Sequence, residues 1–341
     1  MFWYVKKVML KKDRCAFMRD LTFLVLLFCC FSSAKAKVTS YLTGNPEDVN
    51  PPLYGPVLNI GGGGTDVDPA IQWMINKVRG CDNCNVKVDV VVLRTSGSNG
   101  YNAPIYAMNG VDSVETLVIT NRKDSLKTYV VSRIQKAEVI FFAGGNQCDY
   151  VRLFKGTNIE RAVKSVYARG GAIGGTSAGA MIQGNFVFDS CNGSPISSEA
   201  LSDPYHSYIS FTYDFFQWNY MQSVLVDTHF SQRDRMGRLM SFLARQIQDG
   251  RAQQAWGLGV NEATSVIIDQ NGIAQVMGNG PAYFVLADHS PELCQPNQPL
   301  TFSNFKIWKV LAGQTFDLNN RPWSGFYQIS VQSGNLSGNP Y

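Results

Sequence analysis

One serine in this chain sits where a nucleophile is useful. Gly175-Thr176-Ser177-Ala178-Gly179 is a Gly-x-Ser-x-Gly segment, entered from the short run Ala172-Ile173-Gly174 and left through Ala180. Such a segment holds its serine on a sharp strand-to-helix turn. The turn exposes the Ser177 hydroxyl and aims the Ala178 N–H where an oxyanion would form. The flanking residues must be small, because a side chain there would strike the neighbouring strand or helix. Alone, the segment reads equally as a close-packed Gly/Ala helix start, so the chemistry needs partners elsewhere.

A serine hydroxyl needs a base, usually histidine, and a group that orients it. The chain has three histidines, His206, His229 and His289. His229 follows the strand-like Val224-Leu225-Val226-Asp227 and precedes a helix with a Ser231/Asp234 capping signal. His206 falls in an irregular stretch and His289 in a Pro-flanked loop, so His229 is the expected base. Arg233, Arg235 and Arg238 follow it, and Arg235 and Arg238 are spaced to share a helix face. Clustered arginines are usually solvated. Beside a base at a helix start they suit bidentate capture of a carboxylate, which points to an acidic substrate.

The elements that must position these residues alternate. Val57–Ile60, Val88–Leu93, Val114–Thr120, Glu138–Phe142 and Ala172–Gly175 read as strands. Residues 69–79, 125–136 and 148–169 read as helices, with a helix-like stretch near 103–108. Continuous apolar strands between helices predict an α/β fold with a doubly wound, mostly parallel sheet covered on both faces. Ligands then sit at the carboxyl ends of the strands. Gly61–Gly64, Gly144–Gln147 and Ser177 all fall at such ends. Gly61–Gly64 lacks the Lys-Ser/Thr of a phosphate loop, so it is read as a close backbone approach to the site. Residues 187–220 read as an irregular stretch, either a substrate-facing insertion or a surface excursion held by its aromatics. A helix follows, burying Met236, Leu239, Met240, Leu243 and Ile247. Val260–Ile268, Ile273–Met277 and Tyr283–Leu286 make a β-rich extension, with a hairpin at Gln270-Asn271-Gly272. Residues 290–341 read as an irregular tail with one strand near Phe305–Val310. No linker or repeat is evident, so residues 37–341 are expected to form one domain with its core at about 57–268.

The charged fraction of 16% is low for a disordered or nucleic-acid-binding chain, and 45% hydrophobic content supplies a core. The uncharged run Leu21–Phe31, preceded by basic residues and followed by Ala34-Lys35-Ala36, predicts a secretory signal peptide over 1–36, with Met18 as an alternative start. A signal anchor is the competing reading. Residues 1–36 hold seven of the 30 Lys/Arg and two of the 26 Asp/Glu, so the remainder carries 23 and 24 and a net charge of −1. The apparent +4 implies no anionic partner. Five of the eight cysteines, Cys81, Cys84, Cys148, Cys191 and Cys294, lie beyond the leader. Secretion permits disulfides, Cys81 and Cys84 could close a small loop, and an odd count leaves one thiol free or paired between chains. Asn192-Gly193-Ser194 and Asn335-Leu336-Ser337 are glycosylation acceptors if the chain is secreted. No cysteine pair is spaced for zinc, and no metal or organic cofactor is called for.

These residues resemble a known family. Gly174–Ala180 and Asp227-Thr228-His229-Phe230-Ser231-Gln232-Arg233-Asp234-Arg235-Met236-Gly237-Arg238-Leu239 are similar to the two signatures of the cyanophycinase family of serine peptidases, peptidase family S51, related to α-aspartyl dipeptidase (peptidase E). Phe141–Gln147 resembles its Gly-Gly-x-Gln strand end, and Gly257–Thr264 its Gly-x-Gly-x-Asp-Glu-x-Thr segment. Asn261 and Thr228 depart from the pattern, where the family usually carries Asp and often Gln. The resemblance implies a class I glutamine-amidotransferase-like (flavodoxin-like) fold with a nucleophile elbow, and a Ser-His-acid triad. It makes Ser177 the nucleophile, His229 the base and Glu262 the orienting acid, with Asp189 and Asp227 as rivals for that last role. Ala178 with Gly144 or Gly145 would form the oxyanion hole, and Gln147, Asp227, Arg233, Arg235 and Arg238 would bind substrate. The implied activity is that of a secreted exopeptidase of the cyanophycinase type, cutting beside aspartate in cyanophycin or in aspartyl and β-aspartyl peptides. The implied partner is an aspartate-containing peptide or polymer. No nucleic acid and, after leader removal, no membrane is expected, and a homodimer is left open. A secreted non-catalytic binding protein on the same fold is the alternative. An amidotransferase-like enzyme with a cysteine nucleophile finds no elbow at Cys148 or Cys191.

Overall fold

The continuous apolar runs become strands with both faces covered. A computed structural model describes residues 38–341, which cluster as one unit. The expected leader and Met18 lie outside the described residues. In chain order the first half holds strands β1 (Thr39–Gly44) and β2 (Val57–Gly61), helix α1 (Asp68–Arg79), strand β3 (Val88–Arg94), helix α2 (Asn102–Tyr106) and strand β4 (Val111–Val118). Helix α3 (Thr128–Lys136), strand β5 (Val139–Phe142), helices α4 (Gln147–Phe154) and α5 (Asn158–Ala168), strand β6 (Ala172–Thr176) and helix α6 (Ala178–Met181) complete it. Strands β4, β3, β5, β6 and β2 lie side by side in that order, all parallel. Along β3 the side chains alternate between two cores. Val91 and Leu93 pack with Val130 and Ile134 of α3, while Val88, Val90 and Val92 pack with Met74 and Ile75 of α1. That two-sided packing makes the sheet doubly wound.

The second half contributes the short strands β7 (Val187–Phe188) and β8 (Phe211–Thr212) around helix α7 (Ser197–Ser202), then strand β9 (Val224–Thr228) and helix α8 (Met236–Gln248). Strands β10 (Ala255–Val260), β11 (Thr264–Ile268), β12 (Ile273–Gly278), β13 (Ala282–Ala287), β14 (Phe302–Val310), β15 (Thr315–Asp317), β16 (Tyr327–Gln332) and β17 (Asn335–Leu336) finish the chain. Their arrangement corrects several expectations. The main sheet is mixed, because β1 joins one edge and β11, β12 and β15 extend the other, all antiparallel. The approach at 37–55 therefore holds an edge strand. The stretch Val260–Ile268 is not one strand. It breaks at residues 261–263, and β10 and β11 belong to different sheets. The expected irregular tail is β-rich: β17, β16, β14 and β13 pair antiparallel beside β10 and β9 in a second, six-stranded sheet. Leu239, Met240 and Leu243 of α8 pack against Tyr283, Val285 and Ile307 of that sheet. The helix expected over 148–169 is two helices, separated where Gly156 takes a left-handed φ of 72°.

Candidate active site

Three strand ends meet where the two sheets adjoin. Ser177 leaves β6 at φ 52°, ψ −121°, a conformation costly for a side-chain-bearing residue and typical of a nucleophile on a tight turn. The flanking glycines are obligatory. A Cβ at Gly175 would stand 2.5 Å from the Gly179 carbonyl oxygen, and one at Gly179 would stand 2.3 Å from that of Phe142. His229 follows β9, and Glu262 sits in the turn between β10 and β11. The Ser177 hydroxyl lies 2.8 Å from His229 Nε2, and His229 Nδ1 lies 2.6 Å from Glu262 Oε1. A carboxylate only accepts, so Nδ1 carries the ring proton and Nε2 is free to accept from the hydroxyl. This chain of donors can activate an oxygen nucleophile and hold the imidazolium that results.

The glycine run does what a close approach requires. Ser177 N–H donates to the Gly61 carbonyl, His229 N–H to Gly62 and Ala263 N–H to Gly63, at 3.0, 2.8 and 2.9 Å. One loop therefore holds the backbone beside all three side chains of the chain. A side chain at Gly63 would enter the His229 ring, with its Cβ 2.4 Å from Cε1.

The rivals have other work. The buried Asp189 carboxylate accepts from Ser210, Thr212 and the Cys191 N–H. Asp227 is wholly buried and takes a bidentate pair from Arg238, Nε to Oδ2 at 2.7 Å and Nη2 to Oδ1 at 2.6 Å. Arg238 is itself 2% exposed and also donates to Ser194 and Pro195. Neither Asp227 nor Arg238 can touch substrate, which corrects the expectation that both bind it. Arg235 and Arg238 do converge as their spacing implies, but on the buried Asp227 Oδ1 rather than on a ligand. Helix α8 begins at Met236, so Arg235 sits at its N-cap and turns back to the Thr228 carbonyl at 2.8 Å and to Asp227 at 3.3 Å. The Ser231/Asp234 capping expectation fails for the same reason, since Ser231–Arg233 is a separate 3₁₀ turn. His206 bonds to the Tyr208 N–H and His289 to Asp288, and neither lines the cleft at Ser177.

What remains lines a cleft of about 290 Å³ beside Ser177 and His229, walled by Gly145, Gln147, Ser190, Ser194, Arg233 and Arg235. Gly144 packs against the nucleophile, since a Cβ there would stand 3.5 Å from Ser177 Cβ. The Ala178 N–H opens helix α6 and is free of intrahelical bonding. Arg233 is exposed on the rim with no carboxylate partner among the described residues. The Thr228 hydroxyl is wholly buried behind the cleft and has no hydrogen-bond partner among the described residues. Asn261, the other departure from the family pattern, is buried and accepts from the Ser231 N–H at 2.9 Å, bracing the turn after His229. Burial, chiefly, lowers the His229 pKa from 6.5; Arg233 and Arg235 lower it further, while Glu262 opposes them. Among the described residues, no three His, Cys, Asp or Glu side chains converge to hold a metal.

A feature that spacing could not predict closes one wall. Cys148, in the first turn of α4 behind Gln147, is disulfide-bonded to Cys191, between the cleft residues Ser190 and Ser194. Cys81 and Cys84 are bonded as expected, and Cys294 is buried with a free thiol, pushed up to about 12 by burial. Opening the 43-residue Cys148–Cys191 loop by Cys191→Ser is expected to cost about 2–4 kcal/mol. Thermal denaturation of the oxidised proteins measures it, and an unchanged midpoint would show the wall to be held without the bond.

Among proteins of known kind, a model of peptidase family S51 matches residues 98–276. The chain is 26% identical over 223 residues to a cyanophycinase of Nostoc sp. and, separately, to one of Trichormus variabilis, spanning 64% of this chain and 69% of each relative. A solved peptidase from an acI-B1 actinobacterium superposes with a TM-score of 0.54 at 15% identity, covering 78% of this chain and 98% of that one. The last likeness bears on the fold alone.

Proposed function

The chain belongs to peptidase family S51, and we propose that it is a secreted serine peptidase of the cyanophycinase type, cutting peptide bonds beside aspartate. The observation that carries this reading is the unbroken chain Ser177–His229–Glu262, opening on a cleft with an unpaired arginine on its rim. Ser177 Oγ attacks the scissile carbonyl while His229 Nε2 takes its proton. Glu262 keeps Nδ1 protonated and steadies the imidazolium. The N–H groups of Ala178 and of Gly144 or Gly145 receive the oxyanion. His229 then protonates the leaving amine, and the acyl-enzyme is hydrolysed by a water that the same base activates. Arg233 takes the aspartate carboxylate, supported from behind by Arg235, while Gln147 holds the backbone or leaving group.

Secretion draws support from the two disulfides, which are rare in a reducing cytosol, and from the exposure of Asn192 and Asn335. No helix among the described residues is long and apolar enough to cross a membrane.

The test is hydrolysis of cyanophycin beside a panel of α- and β-aspartyl peptides by the secreted protein. Cleavage confined to aspartyl bonds sustains the reading. A folded protein that cleaves nothing moves the balance to a non-catalytic binding protein on this scaffold. The histidine adds a pH signature. Burial, chiefly, holds its pKa below the usual histidine value, so the acid limb of kcat/KM is expected at lower pH than for a free imidazole. Arg233→Gln removes a neighbouring cation, which favours the protonated ring. Its acid limb should move to higher pH while KM for acidic substrates rises about tenfold or more. A limb that stays in place with KM unchanged would remove Arg233 from the cleft chemistry.

A further inference from the structure

A second groove lies at the other end of the strands that carry the triad. It gathers at the amino ends of β9 and β10, around Ser223 and Gln254, whereas His229 follows the carboxyl end of β9. At about 3.3 Å per residue the two sites stand about 20 Å apart. The groove is a wide, open depression of about 780 Å³ and continues past Gln254, Asn319 and Arg321 into a smaller recess of about 170 Å³ walled by Trp256 and Trp323.

Its lining has one chemical character. Asn219, Gln222, Gln253, Gln254 and Asn319 present exposed side-chain amides that bond to no other described residue. Each offers both a donor and an acceptor. The one charged residue in the wall is already engaged. Arg321 donates to the carbonyls of Leu318, Tyr220 and Gln222, at 3.3, 3.4 and 2.9 Å, and its guanidinium lies 5.0 Å over the Trp256 ring. Trp323 stands at the end of the recess, 76% exposed, more than any other large apolar side chain described. The backbone is also unusual here. Tyr220, Ser223 and Arg321 have φ of 67°, 58° and 26°, left-handed values that non-glycine residues adopt at a cost. Arg321 ties these segments together through the carbonyls of Leu318, Tyr220 and Gln222.

We propose that this groove is a binding site for a neutral oligosaccharide. Vicinal hydroxyls both donate and accept, as the amides do. The apolar C–H face of a pyranose ring packs on an exposed indole. A charged ligand would find no free counter-charge, and a nonpolar one would leave five amides desolvated. An open, polar groove of this length suits an extended, hydrated chain rather than a buried small molecule. On this reading the chain carries a glycan-anchoring site separate from its hydrolytic cleft, and the two are independent, so failure of either leaves the other standing.

The experiment is calorimetric titration of the full secreted protein, enzymatically freed of its own glycans, with cellohexaose, maltohexaose, chitohexaose and mannohexaose. At least one should bind with a Kd near or below about 1 mM. Trp323→Ala and Gln254→Ala, both at exposed positions that leave folding intact, should each weaken it by about tenfold or more without changing aspartyl-peptide hydrolysis. Absence of binding by all four, or binding that survives both substitutions unchanged, overturns the proposal.

Discussion

Ser177→Ala is expected to lower kcat on aspartyl peptides by about 10⁵-fold while the thermal midpoint stays where it is or rises slightly. The hydroxyl is the one group of the site whose removal deletes the reaction path without disturbing its surroundings. It donates only to His229, and the turn that displays it is set by backbone contacts that alanine keeps. The free N–H groups and the arginines persist, so substrate should still bind with nearly native KM where residual rates allow it to be measured. The variant should also capture uncleaved substrate in equilibrium dialysis. A variant retaining a tenth of native activity would mean that Ser177 is not the nucleophile, whatever its geometry.

The site was legible from sequence to the degree that sterics wrote it there. Gly175 and Gly179 are glycines because a single carbon would collide with backbone, and such a constraint survives as a pattern. His229 could be picked from three histidines by its place after a strand. Glu262 could be named only through resemblance. Val260–Ile268 reads as one strand, and the turn at residues 261–263 is marked by no glycine or proline, although Ala263 adopts φ 51° there. The geometry that brings the carboxylate to His229 is the step from one sheet to the other, which has no local signal. The Asp227–Arg238 pair failed for a related reason. Helical spacing brings Arg235 and Arg238 together, but both turn inward onto the same buried Asp227 oxygen, a partner that spacing does not name.

The fold was legible where strands are buried on both faces, because β3, β5 and β6 are continuous apolar runs. It was lost where one face is wet. In β16, Tyr327-Gln328-Ile329-Ser330-Val331-Gln332 alternates with a period of two, but its polar half made the surrounding tail look irregular. The edge strand β1 carries no buried residue at all and gives no apolar signal. The Cys148–Cys191 bond joins segments whose proximity depends on the complete fold, so no spacing rule could propose it.

Asp227→Ala should be the most destabilising single change near the site, at about 3–5 kcal/mol, read as a thermal midpoint about 10 °C lower. The carboxylate is fully buried and satisfies two guanidinium groups, of which Arg238 has 2% of its surface exposed. Its loss leaves a cation without water or counter-charge, a cost larger than the pair's own attraction. Asp227→Leu/Arg238→Met removes both charges and fills similar volume, so it should recover most of the stability. It should not recover full activity. Arg235 loses its anchor at Asp227 and Ser194 loses its donor from Arg238, so the wall and the cationic rim of the cleft both loosen and KM rises. The comparison separates two roles that the sequence alone conflates. Were Asp227 a substrate ligand, Asp227→Ala would raise KM with the midpoint intact, and the double variant would be no more stable than the single. A buried strut gives the opposite order: stability falls first, and binding changes through the residues it holds in place.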